Sequence, residues 1–142
     1  MKRKYISEKL KETVRKSAKY RCGYCLFQMI YSHTIFEIDH IISVSKGGAT
    51  VEENLWLACE ICNSAKSDKS EGFDSVTNST VPLFNPRTQN WSEHFEWSDN
   101  FTKIVGKTRI GRATVAELNL NKERIIGIRK NWVAVGWHPP KD

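Results

Sequence analysis

The chain has 142 residues, 39% of them hydrophobic and 27% charged, the composition of an ordinary soluble protein of one domain. No apolar run approaches the roughly 18 residues of a membrane-spanning helix, and the basic N-terminus has no apolar stretch of the signal-peptide kind, so no membrane partner and a cytoplasmic location are expected. A net charge of +6 favours a polyanionic partner, most simply nucleic acid.

Basic residues are densest near the start, from Lys2, Arg3 and Lys4 to Arg21. Leu10, Val14 and Ala18 repeat every four residues there, which predicts a helix with one buried stripe and a solvated basic face, capped by Ser7.

The four cysteines fall in two pairs, Cys22-Gly-Tyr-Cys25 and Cys59-Glu-Ile-Cys62, with 33 residues between them. A disulfide framework does not suit a cytoplasmic chain. A redox site needs one such pair beside a parallel-sheet pattern, which is missing. Two pairs suit a structural Zn²⁺ held by four thiolates. Such a closed site is a staple and not a catalyst, and it contributes on the order of 10 kcal/mol to folding.

Between the pairs, "FEIDHII" reads as a strand, "SVSKGGAT" as a loop broken at Gly47-Gly48, and "LWLA" after Asn54 as a second strand. "CEICNSAKSDK" begins a helix at the second pair. The order is strand, loop, strand, helix.

These residues resemble the HNH nuclease motif, a ββα-metal finger, in its zinc-bearing branch. Asp39-His40 matches the first H, Asn54 the N, and Asn63 stands at the second H. Further on, "PLFNPRTQNW", "HFEW", "IGRATV" and "GWHPP" resemble the C-terminal half of small free-standing bacterial HNH proteins. Two departures stand out. Asn63 removes an imidazole ligand, and Ser43 replaces a proline common in relatives.

The resemblance implies a metal-dependent endonuclease that hydrolyses DNA, expected to be double-stranded. His40 would be the general base, since imidazole titrates near neutral pH. Asp39 and Asn63 offer hard oxygen ligands for Mg²⁺ or Mn²⁺. Asn54 would fix the loop and so orient His40. Neighbouring strand residues point to opposite faces, so Asp39 and His40 share a site only if the strand ends, bulges or twists there. Lys66 and Lys69, one and two turns past Asn63, can reach DNA backbone phosphate or remain solvated. Glu37 is either an outer group of the site or an exposed carboxylate. His33, His94 and His138 are expected to be structural or exposed. The alternative reading is a noncatalytic zinc-stabilised nucleic-acid-binding module.

In the second half, "SDKSEGFDSVTNST" is expected to be a connector. "HFEWSDNFTKIVGKT" reads as a hairpin turning at Ser98-Asp99-Asn100. Thr114 to Glu117 has the form of a capping box opening a short helix. A second helix is capped by Asn121, stops near Gly136, and buries Ile125, Ile128, Trp132 and Val135, with Lys122, Arg129 and Lys130 elsewhere. The whole is an α+β fold of one domain over residues 1–142. Its zinc-stapled core covers 20–70, and a C-terminal hairpin and two helices wrap it over 80–140.

Overall fold

Ser7 opens the first element: its hydroxyl accepts from the Leu10 amide at 3.1 Å and caps α1 (Glu8–Ser17). The computed structural model describes residues 5–141, so Lys2, Arg3 and Lys4 lie outside the described residues. Val14 and Ala18 are buried against Ile38, Leu55 and Leu57, with Leu10 packed at the edge, as the four-residue spacing predicts. Burying each large aliphatic side chain contributes about 1.5–3 kcal/mol.

The next segment holds the first cysteine pair and leads into β1 (Phe36–His40). The chain returns as β2 (Leu55–Cys59), antiparallel in an unbroken register from Phe36 opposite Cys59 to His40 opposite Leu55. It runs directly into α2 (Glu60–Lys66). Cys59 caps this helix, its Sγ accepting from the Cys62 amide at 3.4 Å. Strand, loop, strand and helix thus follow in the expected order.

The following segment departs from expectation. The presumed connector forms a second hairpin, β3 (Glu71–Asp74) paired with β4 (Ser79–Pro82). Asp74 holds it. One carboxylate oxygen accepts from the Val76 amide, and the other from the Thr77 amide and hydroxyl. Arg112 donates Nε and Nη2 to the same carboxylate at 2.9 and 3.0 Å. Arg112, the largest influence, and Thr77 keep Asp74 well below the usual carboxylate range.

A single helical turn, α3 (Trp91–His94), precedes the expected hairpin of β5 (Phe95–Ser98) and β6 (Lys103–Gly106). Helix α4 (Arg109–Glu117) starts five residues before the expected capping box. Its cap is Thr108, accepting from the Gly111 amide at 3.0 Å. Thr114 instead lies inside the helix, where its hydroxyl donates to Ile110 O and accepts from Phe84 N. Helix α5 (Glu123–Ala134) follows Lys122 at the cap position. Asn121 serves elsewhere: its amide brackets the backbone of Ile104, at 2.9 Å to N and 2.8 Å to O. The face assignment of α5 is corrected at two residues. Val135 is exposed and Arg129 is fully buried.

The fold is α+β, with three two-stranded antiparallel sheets and five α-helices among the described residues. All four cysteines share a core with Phe84, Phe95, Ile104, Leu118 and Ile125 from the C-terminal half. Arg87 donates Nε and Nη2 to Leu55 O, and the Trp91 indole N–H donates to Tyr24 O, joining that half to the finger. No described helix is long and apolar enough to cross a membrane.

Candidate active site and metal centre

Cys22, Cys25, Cys59 and Cys62 are buried, unbridged by disulfides, and their Sγ atoms all lie within 4.8 Å of one another. Zn–S bonds of about 2.3 Å in a tetrahedron separate sulfurs by roughly 3.8 Å, and Cys25 and Cys59 Sγ stand 3.8 Å apart. The Tyr24 and Cys62 amides donate to Cys22 and Cys59 Sγ, each at 3.4 Å. Burial pushes the Cys25 thiol up, and the surrounding thiols push Cys62 up. Hydrogen bonds from the other three cysteines pull Cys22 down against its burial. Geometry and donor set are compatible with a structural zinc site.

A cleft of about 300 Å³ lies at the end of β1, lined by Asp39, His40 and Asn63 with Ser43, Ser45 and Ser67. Because the β1–β2 register is unbroken, no bulge turns Asp39 and His40 to one side. The strand ends at His40, and the cleft takes in both side chains there. His40 Nε2 is 2.9 Å from Thr50 Oγ1. Asn63 stands half-buried on α2, one residue past the cysteine Cys62.

Asn54 ties the loop after His40 in place. Its Oδ1 accepts from Ile42 N, and its Nδ2 donates to Ile42 O and Ala49 O, each at 2.9 Å. Gly48 packs under the same turn: a Cβ there would fall 1.7 Å from Ile42 O. Its neighbour Gly47 has open space but φ of +89°, a left-handed conformation that favours glycine.

Lys66 is neither of the two expected things, a phosphate-facing side chain or a solvated surface charge. It is 2% exposed, and its Nζ lies 3.2 Å from Asp39 Oδ2, 3.5 Å from Oδ1 and 3.1 Å from His40 O. Tyr24 donates its hydroxyl to Asp39 Oδ2 at 3.3 Å. Burial raises the Asp39 pKa, with Lys66 and Tyr24 opposing the rise. Burial, then the Asp39 charge, pushes the Tyr24 phenol well above its usual range. Lys69 is half-exposed and pairs with Glu117 at 3.1 Å. Beyond Lys66 a second cavity, of about 480 Å³, runs along Ile41, Ile42 and Phe84.

The remaining candidates fall outside the cleft. His33 is exposed and Glu37 half-buried on β1. His94 Nδ1 pairs with Thr108 Oγ1 at 2.7 Å. His138 is buried against Trp97 and bonded to Phe101 O. Tyr24, Thr50 and the ion pair of Lys66 were missed by sequence reasoning. Only Tyr24 left a signal, as one of the two residues inside the first cysteine pair.

No curated protein and no solved structure matches the chain. The segments past residue 69 therefore rest on their sequence resemblance alone. The stretch from the first cysteine to just past α2, residues 22–69, matches the family model described as HNH endonuclease, and it contains the whole cysteine-stapled finger and its cleft.

Proposed function

We propose that the protein is a metal-dependent HNH endonuclease that hydrolyses phosphodiester bonds of DNA, expected to be double-stranded, with His40 as general base. The observation that carries this reading is the convergence of Asp39, His40 and Asn63 on one cleft, beside a loop that Asn54 clamps. A module that only binds nucleic acid needs none of this.

Zn²⁺ on the four thiolates would fix the finger without taking part in chemistry. Asp39 and Asn63 are the residues that would hold Mg²⁺ or Mn²⁺ in the cleft, and that ion would supply charge neutralisation at the scissile phosphate. His40 would take the proton of the attacking water, its ring steadied by Thr50. Asn54 would act through backbone order alone. Lys69 would reach a DNA phosphate only by leaving Glu117.

One observation favours the noncatalytic alternative. Lys66 already neutralises Asp39 where a cation would bind. The deciding experiment is incubation of plasmid DNA with the protein in Mg²⁺, Mn²⁺ or EDTA, beside a His40→Ala variant. The expected result is metal-dependent cleavage that falls at least about a hundredfold in the variant, with DNA binding kept. Binding without cleavage in any metal would establish the noncatalytic module.

A further inference from the structure

Arg129 is the largest side chain buried in the structure, at 0% exposure. A buried guanidinium normally has a carboxylate partner, because desolvating a cation alone is costly. Arg129 has none among the described residues. Nη1 donates to Thr102 O and Asn121 Oδ1, and Nη2 to Leu120 O, all neutral acceptors. Its Nε is buried without any partner. Phe27 and Trp97 rings lie 5.8 and 5.6 Å from its central carbon, which favours a cation but does not neutralise it.

The missing negative charge lies on the other side. Arg129 shares a void of only about 10 Å³ with Cys25, Cys59 and Cys62. That is room for about one water molecule, and for no carboxylate or anion. Four thiolates around one Zn²⁺ carry a net charge of −2. Among the described residues, backbone N–H groups donate to the sulfurs of Cys22 and Cys59 and none donates to those of Cys25 and Cys62. Burial lowers the Arg129 pKa, and the charges of Cys25, Cys62 and Cys59 oppose that drop without reversing it.

We propose that Arg129 is the counter-cation of the tetrathiolate zinc site, holding the metal in place through its charge. The zinc site and α5 are then one electrostatic unit, and removing either ion leaves the other buried and uncompensated. This rests on the zinc reading and is independent of what the cleft does.

The test uses full-length zinc-loaded protein. Metal content comes first, since a folded, reduced wild type without zinc would sink the zinc reading itself. With about one zinc per chain, zinc transfer to a chromogenic chelator is timed for wild type, Arg129→Lys and Arg129→Gln. Lysine keeps the charge and loses the planar fork. Glutamine keeps hydrogen bonding and loses the charge. Glutamine should release zinc at least tenfold faster than lysine. Equal release from both, at equal melting temperatures, would overturn the proposal and leave Arg129 a packing residue. If neither variant folds, hydrogen exchange of the wild type decides. Chelation should loosen amides around residues 118–132 as well as at the cysteines. Loosening confined to residues 22–25 and 59–62 would refute the pairing.

Discussion

Asn54 grips the peptide of Ile42 from both ends, accepting from its N–H and donating to its carbonyl, each at 2.9 Å. Asn54 is twelve residues from Ile42 and directly precedes β2; its carbonyl accepts from Ile41 N at 2.8 Å, and its side-chain amide extends that pairing by one residue, to Ile42. The grip makes the backbone after His40 part of the sheet's rigid frame.

Asn54→Ala should therefore lower stability by about 1–2 kcal/mol, since a net hydrogen bond contributes about 0.5–1.5 kcal/mol and these are partly solvated. Cleavage should fall with it. Gly48→Ala should damage the same loop by forcing Ile42 O away. Gly47→Ala should cost only its backbone strain, about 1–2 kcal/mol. Thermal melts of the three variants check the order. Equal melting of Gly47→Ala and Gly48→Ala would show that the turn is not sterically set.

Lys66→Met leaves the Asp39 carboxylate buried without a counter-charge. Removing one partner of a buried pair costs about 3–5 kcal/mol, so the variant should melt far below wild type. Adding Asp39→Asn should restore much of the loss. If Asp39 is a ligand, Mn²⁺ should raise the melting temperature of Lys66→Met more than that of wild type, because the ion no longer competes with the ammonium. Equal shifts would remove Asp39 from the ligand set.

Asn63→His tests the other ligand. An amide oxygen suits Mg²⁺ and Mn²⁺, whereas imidazole nitrogen favours later transition metals. Cleavage by wild type should prefer Mg²⁺ or Mn²⁺, and the variant should shift toward Ni²⁺ or Co²⁺. An unchanged ranking across a divalent series would show that position 63 does not touch the ion.

His138 gives a prediction for stability against pH. Burial, then the charge of Arg129, pulls its pKa down to about 4, against the pull of Phe101 O. The unfolded value is near 6.5. The folded state thus favours the neutral ring, and the resulting stability is complete above about pH 6.5 and lost as pH falls toward 4. Wild type should lose melting temperature over that window more steeply than His138→Gln, which keeps a donor for Phe101 O. Parallel slopes would show that His138 does not titrate against folding.

The finger was legible because its constraints are local and chemical. Metal-ligand spacing fixes the cysteines, β-branched runs fix the strands, and Ser7 with a four-residue stripe fixes α1. What failed depends on distant partners. The β3–β4 hairpin reads as polar because its anchor, Asp74, takes its counter-charge from Arg112, 38 residues away. Thr114 looks like a cap because nothing local announces that Thr108 caps first. Arg129 and Lys66 read as solvent-facing charges, since their burial is offset by carbonyls, an acid and thiolates from other segments. The sharing of one cleft by Asp39 and His40 depends on where β1 stops, which pairing decides and periodicity does not.

Each half of the sulfur cluster also connects to a residue lining the cleft. Tyr24, between Cys22 and Cys25, reaches Asp39, while Asn63 directly follows Cys62 and Lys66 lies one turn beyond it. The span between the two cysteine pairs is therefore passed on as a span between cleft residues. A larger thiophilic ion such as Cd²⁺, with longer bonds to sulfur, would spread these connections and detune the cleft without touching one of its residues. An ion held by the four thiolates would work as a gauge block, its radius setting the width of the cleft.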